Sequence, residues 1–255
     1  RNVLADPYIL GISAGASTGA AAVMVFGLRM ANSPVHVGVG VGAFIGSLVS
    51  LALVMTLARG AGRLTNTRVI FAGMAVNFFF SALTSLIIML AKDPTTTRSV
   101  VFWMLGSLAG SHWPEVAIAM GASGAGILGL IAIGRRIDAL SLGDDVARTL
   151  GVDPQRQRFL VFLLISLIVA FLVALTGTIG FIGLVVPHLA KRLHGGIFRR
   201  SAPACAVIGA IIIVLADLLA RVAVAPGEMS IGVITSLLGA PLLMFLIGRD
   251  ARNEE

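Results

Sequence analysis

Long apolar stretches alternate with short polar loops along this chain. A helix needs about 20 apolar residues to cross the hydrocarbon core of a bilayer, and the pattern predicts eight such spans. They cover residues 9–28, 36–58, 69–91, 114–134, 158–176, 178–194, 203–224 and 231–248, of which the sixth is short and interrupted by glycine. The pattern therefore predicts an all-α, polytopic transmembrane helical bundle that forms a single domain over residues 1–255.

One further apolar stretch, RSVVFWMLGSLAG at 98–110, is too short to span the bilayer. Short or irregular segments at membrane depth are tolerated where protein surrounds them. We therefore expect a short re-entrant or interfacial helix here.

The composition agrees with a membrane protein: 57% of the residues are hydrophobic and 12% are charged, against roughly 25% charged in ordinary soluble domains. Glycines recur every fourth residue at 11, 15 and 19 and again at 38, 42 and 46. This spacing predicts two helices with flat faces that let a neighbouring backbone approach closely. No G-x-x-x-x-G-K-[ST] motif follows the glycines, so nucleotide chemistry would belong to a partner chain.

Lysine and arginine are distributed unevenly between alternate loops. If the first residues face the cytoplasm, that side receives 15 of the 19 basic residues, and the other side receives only Arg29, Lys92, Arg98 and Arg221. The positive-inside rule then places both ends of the chain in the cytoplasm. The net charge of +7 is explained by these loops, and no nucleic-acid partner is predicted.

A polar stripe lies on the third predicted span. Asn77, Ser81, Thr84 and Ser85 fall at helical spacing, which places them on one side of the helix. They are candidates to line a water-filled pathway, although Ser and Thr in membrane helices also bond to their own backbone carbonyls. In the preceding loop, Thr65 and Asn66 are candidates for an inner gate.

Ionisable residues within a span are functional-site candidates. Asp217 and Arg221, four residues apart in the seventh span, share a helix face and can pair, so a structural ion pair is an equal alternative. His188 and His194 are six residues apart without an accompanying carboxylate. No metal site, catalytic residue or cofactor is predicted from them.

The stretch LSLGDDVARTLGVDP at 140–154 is polar in an otherwise apolar chain. Ser141 and Asp144 have the spacing of a capping box, Gly151 follows Leu150 as a stop signal, and Asp153-Pro154 begins the next helix. The pattern predicts a short helix with Val146 and Leu150 on one face, suited to a partner with a mixed polar and apolar groove. A solvated connector is the alternative.

Three sequence blocks together resemble the FecCD-type permeases of bacterial ABC importers, which carry vitamin B12, haem and iron-siderophore complexes. They are NVLADPYILGISAGASTGA (2–20), FWMLGSLAGSHW (102–113), and the run from LSLGDDVARTLGV through GTIGFIGLVVPHLAKRLHG (177–195) to GEMSIGVITSLLGAPLLMFLIGR (227–249). Members of this family usually have about ten spans, so the chain resembles the last eight and the first two helices are expected upstream. The chain differs at Ser230, where the family usually places a proline.

The resemblance implies partners and roles. A second permease chain, two ATP-binding-cassette ATPase subunits and a periplasmic or lipid-anchored substrate-binding protein are expected around a multi-pass protein of the bacterial inner membrane. Residues 135–157 are expected to form a cytoplasmic coupling segment that sits in the ATPase. Its candidate coupling residues are Ser141, Asp144, Asp145, Arg148, Leu150 and Gly151, whereas Arg221 and Glu228 are candidates for docking of the binding protein.

The sequence thus predicts the permease subunit of an ATP-driven importer of an iron-siderophore, haem or cobalamin complex, with ATP hydrolysed by a partner. An ion-gradient-driven secondary transporter is the alternative, and it would need acids at mid-bilayer, for which Asp217 is the candidate. An intramembrane enzyme would need a convergent catalytic set, such as H-E-x-x-H, and none occurs in the sequence.

Overall fold

In the computed structural model of the protein, residues 11–27, 35–60, 66–224, 227 and 229–252 are described. They form α-helices and connecting segments, which confirms the all-α prediction. The helices are α1 (Ile12–Phe26), α2 (Val35–Gly60), α3 (Asn66–Met89), α4 (Pro94–Met104), α5 (Trp113–Ala132), α6 (Gly134–Ser141), α7 (Asp144–Thr149), α8 (Pro154–Thr176), α9 (Ile182–His194), α10 (Phe198–Val222) and α11 (Ile231–Arg252).

Within the described ranges, five helices are long and apolar enough to cross a membrane: α2, α3, α5, α8 and α10. The predicted total of eight spans is not confirmed. The sixth predicted span is represented by α9, which has 13 residues and therefore a length of about 20 Å, short of the roughly 30 Å hydrocarbon core. The apolar α1 is also short, with 15 residues.

The two glycine-rich helices pack against each other through their glycines. A Cβ atom built on Gly15 would overlap the carbonyl oxygen of Gly46. Alanines fill the same interface, since Ala16, Ala20 and Ala43 are fully buried. The predicted flat faces are confirmed, and each helix is the neighbour of the other.

Irregular backbone connects the ends of α4, α8 and α11. The Gly232 amide donates to the Leu105 carbonyl at 3.1 Å, and the Ser107 amide donates to the Thr176 carbonyl at 2.9 Å. Phe181, just before α9, has a φ of 66°, a left-handed conformation that is uncommon for a residue with a side chain. The mutual hydrogen bonds satisfy non-helical backbone that lipid could not.

The stretch predicted at 98–110 lies partly in this region. Its helical part belongs to α4, which has 11 residues and is too short to span a bilayer. Whether α4 is re-entrant or interfacial stays a prediction.

Candidate functional site

Segment 135–157 contains two short helices where one was predicted. The predicted capping box of Ser141 and Asp144 is not formed, so that prediction is wrong. Helix α6 runs through Ser141, and the residue that precedes α7 is Gly143, with a φ of 114°. The Ser141 hydroxyl instead donates to the Asp138 carbonyl at 2.7 Å, within α6. A hydroxyl that bonds its own helix backbone is the usual alternative to an N-cap.

The end of α7 and the start of α8 agree with the sequence signals. Gly151 has a φ of 75°, and its amide donates to the Arg148 carbonyl at 2.9 Å, as expected of a glycine that terminates a helix. The Asp153 carboxylate accepts the Gln155 amide at 2.9 Å, and Pro154 is the first residue of α8. Both predicted boundaries are confirmed.

The outer face of α7 mixes apolar and charged groups. Val146 and Leu150 are 43% and 61% exposed, and the exposed Arg148 pairs with Asp145 at 3.2 Å. Ala147, in contrast, is fully buried beneath the helix. This face has the chemistry of a protein-docking surface with an apolar centre and charged margins.

Two residues that tie this segment to the bundle were not among the predicted site residues. Asp138 in α6 accepts the backbone amide of Phe198, the first residue of α10, at 2.7 Å. Arg158 in α8 donates two hydrogen bonds to the Asp144 carboxylate, at 2.6 and 3.0 Å. Asp138 and Phe198 are 60 positions apart, and no local spacing signal connects them.

Basic residues gather at this end of the molecule. Arg59, at the end of α2, lies over the Phe159 ring at 4.1 Å from its centroid, and the Asp138–Phe198 contact brings the start of α10 to α6. The helices and helix ends in this region carry Arg59, Arg135, Arg136, Arg148, Arg156, Arg158, Arg199 and Arg200. A concentration of this kind is typical of the cytoplasmic side of a membrane protein.

The polar stripe on α3 crosses from the core to the exposed surface. Thr84 is 2% exposed, and its hydroxyl lies 2.6 Å from that of Thr18 in α1 and 2.8 Å from the Phe80 carbonyl. Ser81 and Ser85 are exposed, with the Ser85 hydroxyl bonded to the Ser81 carbonyl at 3.0 Å. Asn77 is half-buried between the two groups. Thr84 therefore packs helices together and does not share the exposed face.

Three predicted site positions cannot be compared with the structure. Thr65 and Glu228 lie outside the described residues, and of Asn66, the first residue of α3, only the backbone is described.

The predicted ion pair in α10 is present. Arg221 Nε lies 2.8 Å from Asp217 Oδ2, and 49% of the arginine side chain is exposed. Within the described ranges, no three His, Cys, Asp or Glu side chains converge as a metal site requires.

Comparisons with known proteins agree on one family. A sequence profile of the FecCD transport family matches residues 1–249. The vitamin B12 import system permease protein BtuC of Vibrio cholerae is 36% identical, over 98% of this chain and 73% of its own length. The hemin transport system permease protein HmuU of Yersinia pestis is 38% identical, over 98% of this chain and 74% of its own length. A solved structure described as a metal-chelate type ABC transporter in an inward-facing conformation superposes with a TM-score of 0.88. It is 30% identical and is matched over 98% of this chain and 77% of that one.

Proposed function

The chain belongs to the FecCD transport family, and we propose that it is the permease subunit of an ATP-binding-cassette importer for an iron-siderophore or related metal chelate. Relatives that import vitamin B12 and hemin support this class of substrate. A separate ATPase supplies the energy in this proposal.

The observation that carries the proposal is the exposed face of α7. A six-residue helix is too short to be stable alone in water, yet here the ion pair of Asp144 and Arg158 ties it to the basic end of the bundle. Val146 and Leu150 are apolar and exposed on a segment that has no reason to enter lipid. We propose that they insert into a cleft of the ATPase, with Asp145 and Arg148 at the margin, and that the basic end faces the cytoplasm.

The exposed side of α3 is the proposed site of the pathway. Ser81 and Ser85 lie on the same side of the helix as Met74 and Phe78, which are 43% and 69% exposed. A surface that mixes hydroxyls with large apolar groups suits the contact with a second permease chain, where a pathway lies between the two copies. Asn77 lies at the margin of this surface, and Thr65 and Asn66 are proposed as the inner gate.

The opposite end of α10 is the proposed docking surface of a periplasmic or lipid-anchored binding protein. Arg221 is one residue from the end of that helix and half exposed. Together with Glu228, seven residues further along the sequence, it offers charges that steer and orient a partner. The pairing of Asp217 with Arg221 close to the helix end favours this docking role over that of a mid-bilayer acid, which an ion-gradient-driven carrier would require.

Reconstitution of the full-length protein in vesicles with its co-purified ATPase tests the proposal. Radiolabelled ferric siderophore, haem and cobalamin are offered outside with the binding protein, and ATP is placed inside or omitted. We expect uptake of at least one chelate that requires ATP and persists when ionophores collapse the ion gradients. Uptake that follows an imposed gradient without ATP would establish the secondary transporter instead.

A further inference from the structure

The helix α7 is flanked by two glycines, Gly143 and Gly151, whose backbone alone does not fix its orientation. Gly143 and Gly151 both have positive φ, and at each of them a Cβ atom would meet nothing within 4 Å. Such positions bend easily, because glycine has the widest choice of backbone conformations. Contacts other than the backbone must therefore fix how α7 sits on the bundle.

The ion pair between Asp144 and Arg158 provides such a contact. Both carboxylate oxygens accept from separate guanidinium nitrogens, at 2.6 and 3.0 Å. The two side chains are 39% and 24% exposed, so the pair is only partly screened by solvent. A two-bond fork constrains rotation as well as distance, which a lysine with a single point of contact would not do.

Two further contacts lie at the same end of the molecule. The neighbour of Arg158 in α8, Phe159, lies beneath the guanidinium of Arg59 at the end of α2. On the other side of the segment, the Asp138 carboxylate caps α10 through the Phe198 amide, where negative charge at a helix N-terminus is favourable. The segment is thus fastened to α8 through Asp144 and to α10 through Asp138.

The other ion pair of the segment has no such role. Arg148 and Asp145 lie within α7 itself, and the Asp145 side chain is 99% exposed. This pair can contact a partner protein, but it does not connect α7 to another helix of the bundle. The charges of the segment therefore divide into a group that faces outward and a group that fastens α6 and α7 to the bundle.

We propose that Asp144 and Arg158, with Asp138, are positioning residues that transmit movement of the ATPase to α8 and α10. This inference rests on the proposed function. When the ATPase displaces α7, the fork forces the cytoplasmic end of α8 to follow, whereas without the fork α7 would rotate about Gly143 and Gly151 and the movement would be lost. The consequence is a defect in coupling and not in binding of the ATPase.

The test compares Asp144→Asn and Arg158→Gln with the wild-type protein in vesicles containing the ATPase and the binding protein. Three quantities are measured: ATPase retained in a pull-down, the ATP hydrolysis rate, and chelate transported per ATP hydrolysed. We expect retention and hydrolysis within about two-fold of wild type, and transport per ATP lower by about five-fold or more, the lower end of usual coupling between sites. Arg200→Gln, which removes an exposed charge from the same end, should keep the wild-type ratio.

Two further variants separate positioning from folding. Arg158→Lys keeps the charge and loses the fork, so it should remain folded and still transport less per ATP. The exchange Asp144→Arg with Arg158→Asp rebuilds the pair with reversed polarity and should recover part of the ratio. An unchanged ratio in all single variants, or a loss that only mirrors weaker retention of the ATPase, would overturn the inference. If the wild-type protein retained no ATPase, the proposed function itself would fail.

Discussion

Gly19 in α1 and Gly42 in α2 touch through their backbones: a Cβ atom on Gly19 would overlap the carbonyl oxygen of Gly42. One turn earlier, Gly15 meets Gly46 in the same way. Because the clashing atoms belong to backbone, no side-chain rotation can make room. The contact between these two helices is therefore set by the absence of side chains, as in other closely packed membrane helices.

Replacing Gly19 by alanine should separate α1 from α2. We expect the free energy of unfolding to fall by about 1–3 kcal/mol, the usual cost of overpacking, and the melting temperature in detergent to fall with it. Gly124→Ala in α5 is the matched control, since a Cβ there meets nothing within 4 Å and alanine favours the helix by about 1 kcal/mol. Equal melting temperatures for the two variants would show that the glycine contact is not close.

Thr84 should contribute to stability and not to transport selectivity. Thr84→Val keeps the shape but loses the hydrogen bonds to Thr18 and to the Phe80 carbonyl. We expect a loss of about 0.5–1.5 kcal/mol, the range seen for buried polar contacts between membrane helices, measured as a lower melting temperature. Thr84→Ser retains the hydroxyl and should lie closer to wild type. A Thr84→Val protein with normal stability but altered uptake would show instead that Thr84 lines the pathway.

The sequence predicts the helical class of the fold, because a helix that crosses a bilayer needs about 20 consecutive apolar residues and such stretches are visible in the sequence. It fails where apolar residues adopt irregular backbone. The apolar pattern includes residues 178–181 in the sixth predicted span, yet α9 begins at Ile182. Hydropathy cannot distinguish a buried helix from a loop whose hydrogen bonds are supplied by distant residues, as the Thr176 carbonyl does for the amide of Ser107.

In the candidate site, too, the sequence predicts the local features and misses the contacts between distant residues. Local signals at Gly151 and Asp153 correctly predict where α7 ends and α8 begins, because those signals act within a few residues. The Asp144–Arg158 fork spans 14 positions and depends on how α7 folds back on α8. Ser141 has the sequence spacing of an N-cap residue for α7. It does not act as one, because α6 continues through Ser141 and its side chain is used within that helix.

Reversal of the charge at Arg221 tests the docking surface. Arg221→Glu in the full-length protein places a negative charge beside Asp217 and should weaken association of the binding protein by about tenfold at low salt, or about 1.4 kcal/mol. The difference from wild type should shrink as salt rises, because exposed charges act through screened electrostatics. Lys92→Glu, an exposed charge reversal in the loop between α3 and α4, is the control. Binding that is equally tight for wild type and Arg221→Glu at every salt concentration would exclude this surface.

A substitution that unfolds α7 and leaves the membrane helices intact tests the role of this helix directly. The Ala147 amide donates to the Gly143 carbonyl at 2.9 Å, and the Ala147 carbonyl accepts from Val152 at 2.9 Å. Ala147→Pro removes the first of these bonds and costs about 3 kcal/mol of helix stability, and the larger ring must also fit a fully buried position. The α7 face with Val146 and Leu150 would then lose its shape, while the membrane helices, which pack elsewhere, remain folded.

We expect the variant to insert and to bind the substrate-binding protein, but to lose the ATPase in a pull-down and to lose ATP-driven uptake. Ala147→Ser keeps the amide and a small side chain, so it should behave nearly as wild type. Wild-type pull-down and uptake by Ala147→Pro would show that residues 144–149 are a solvated connector.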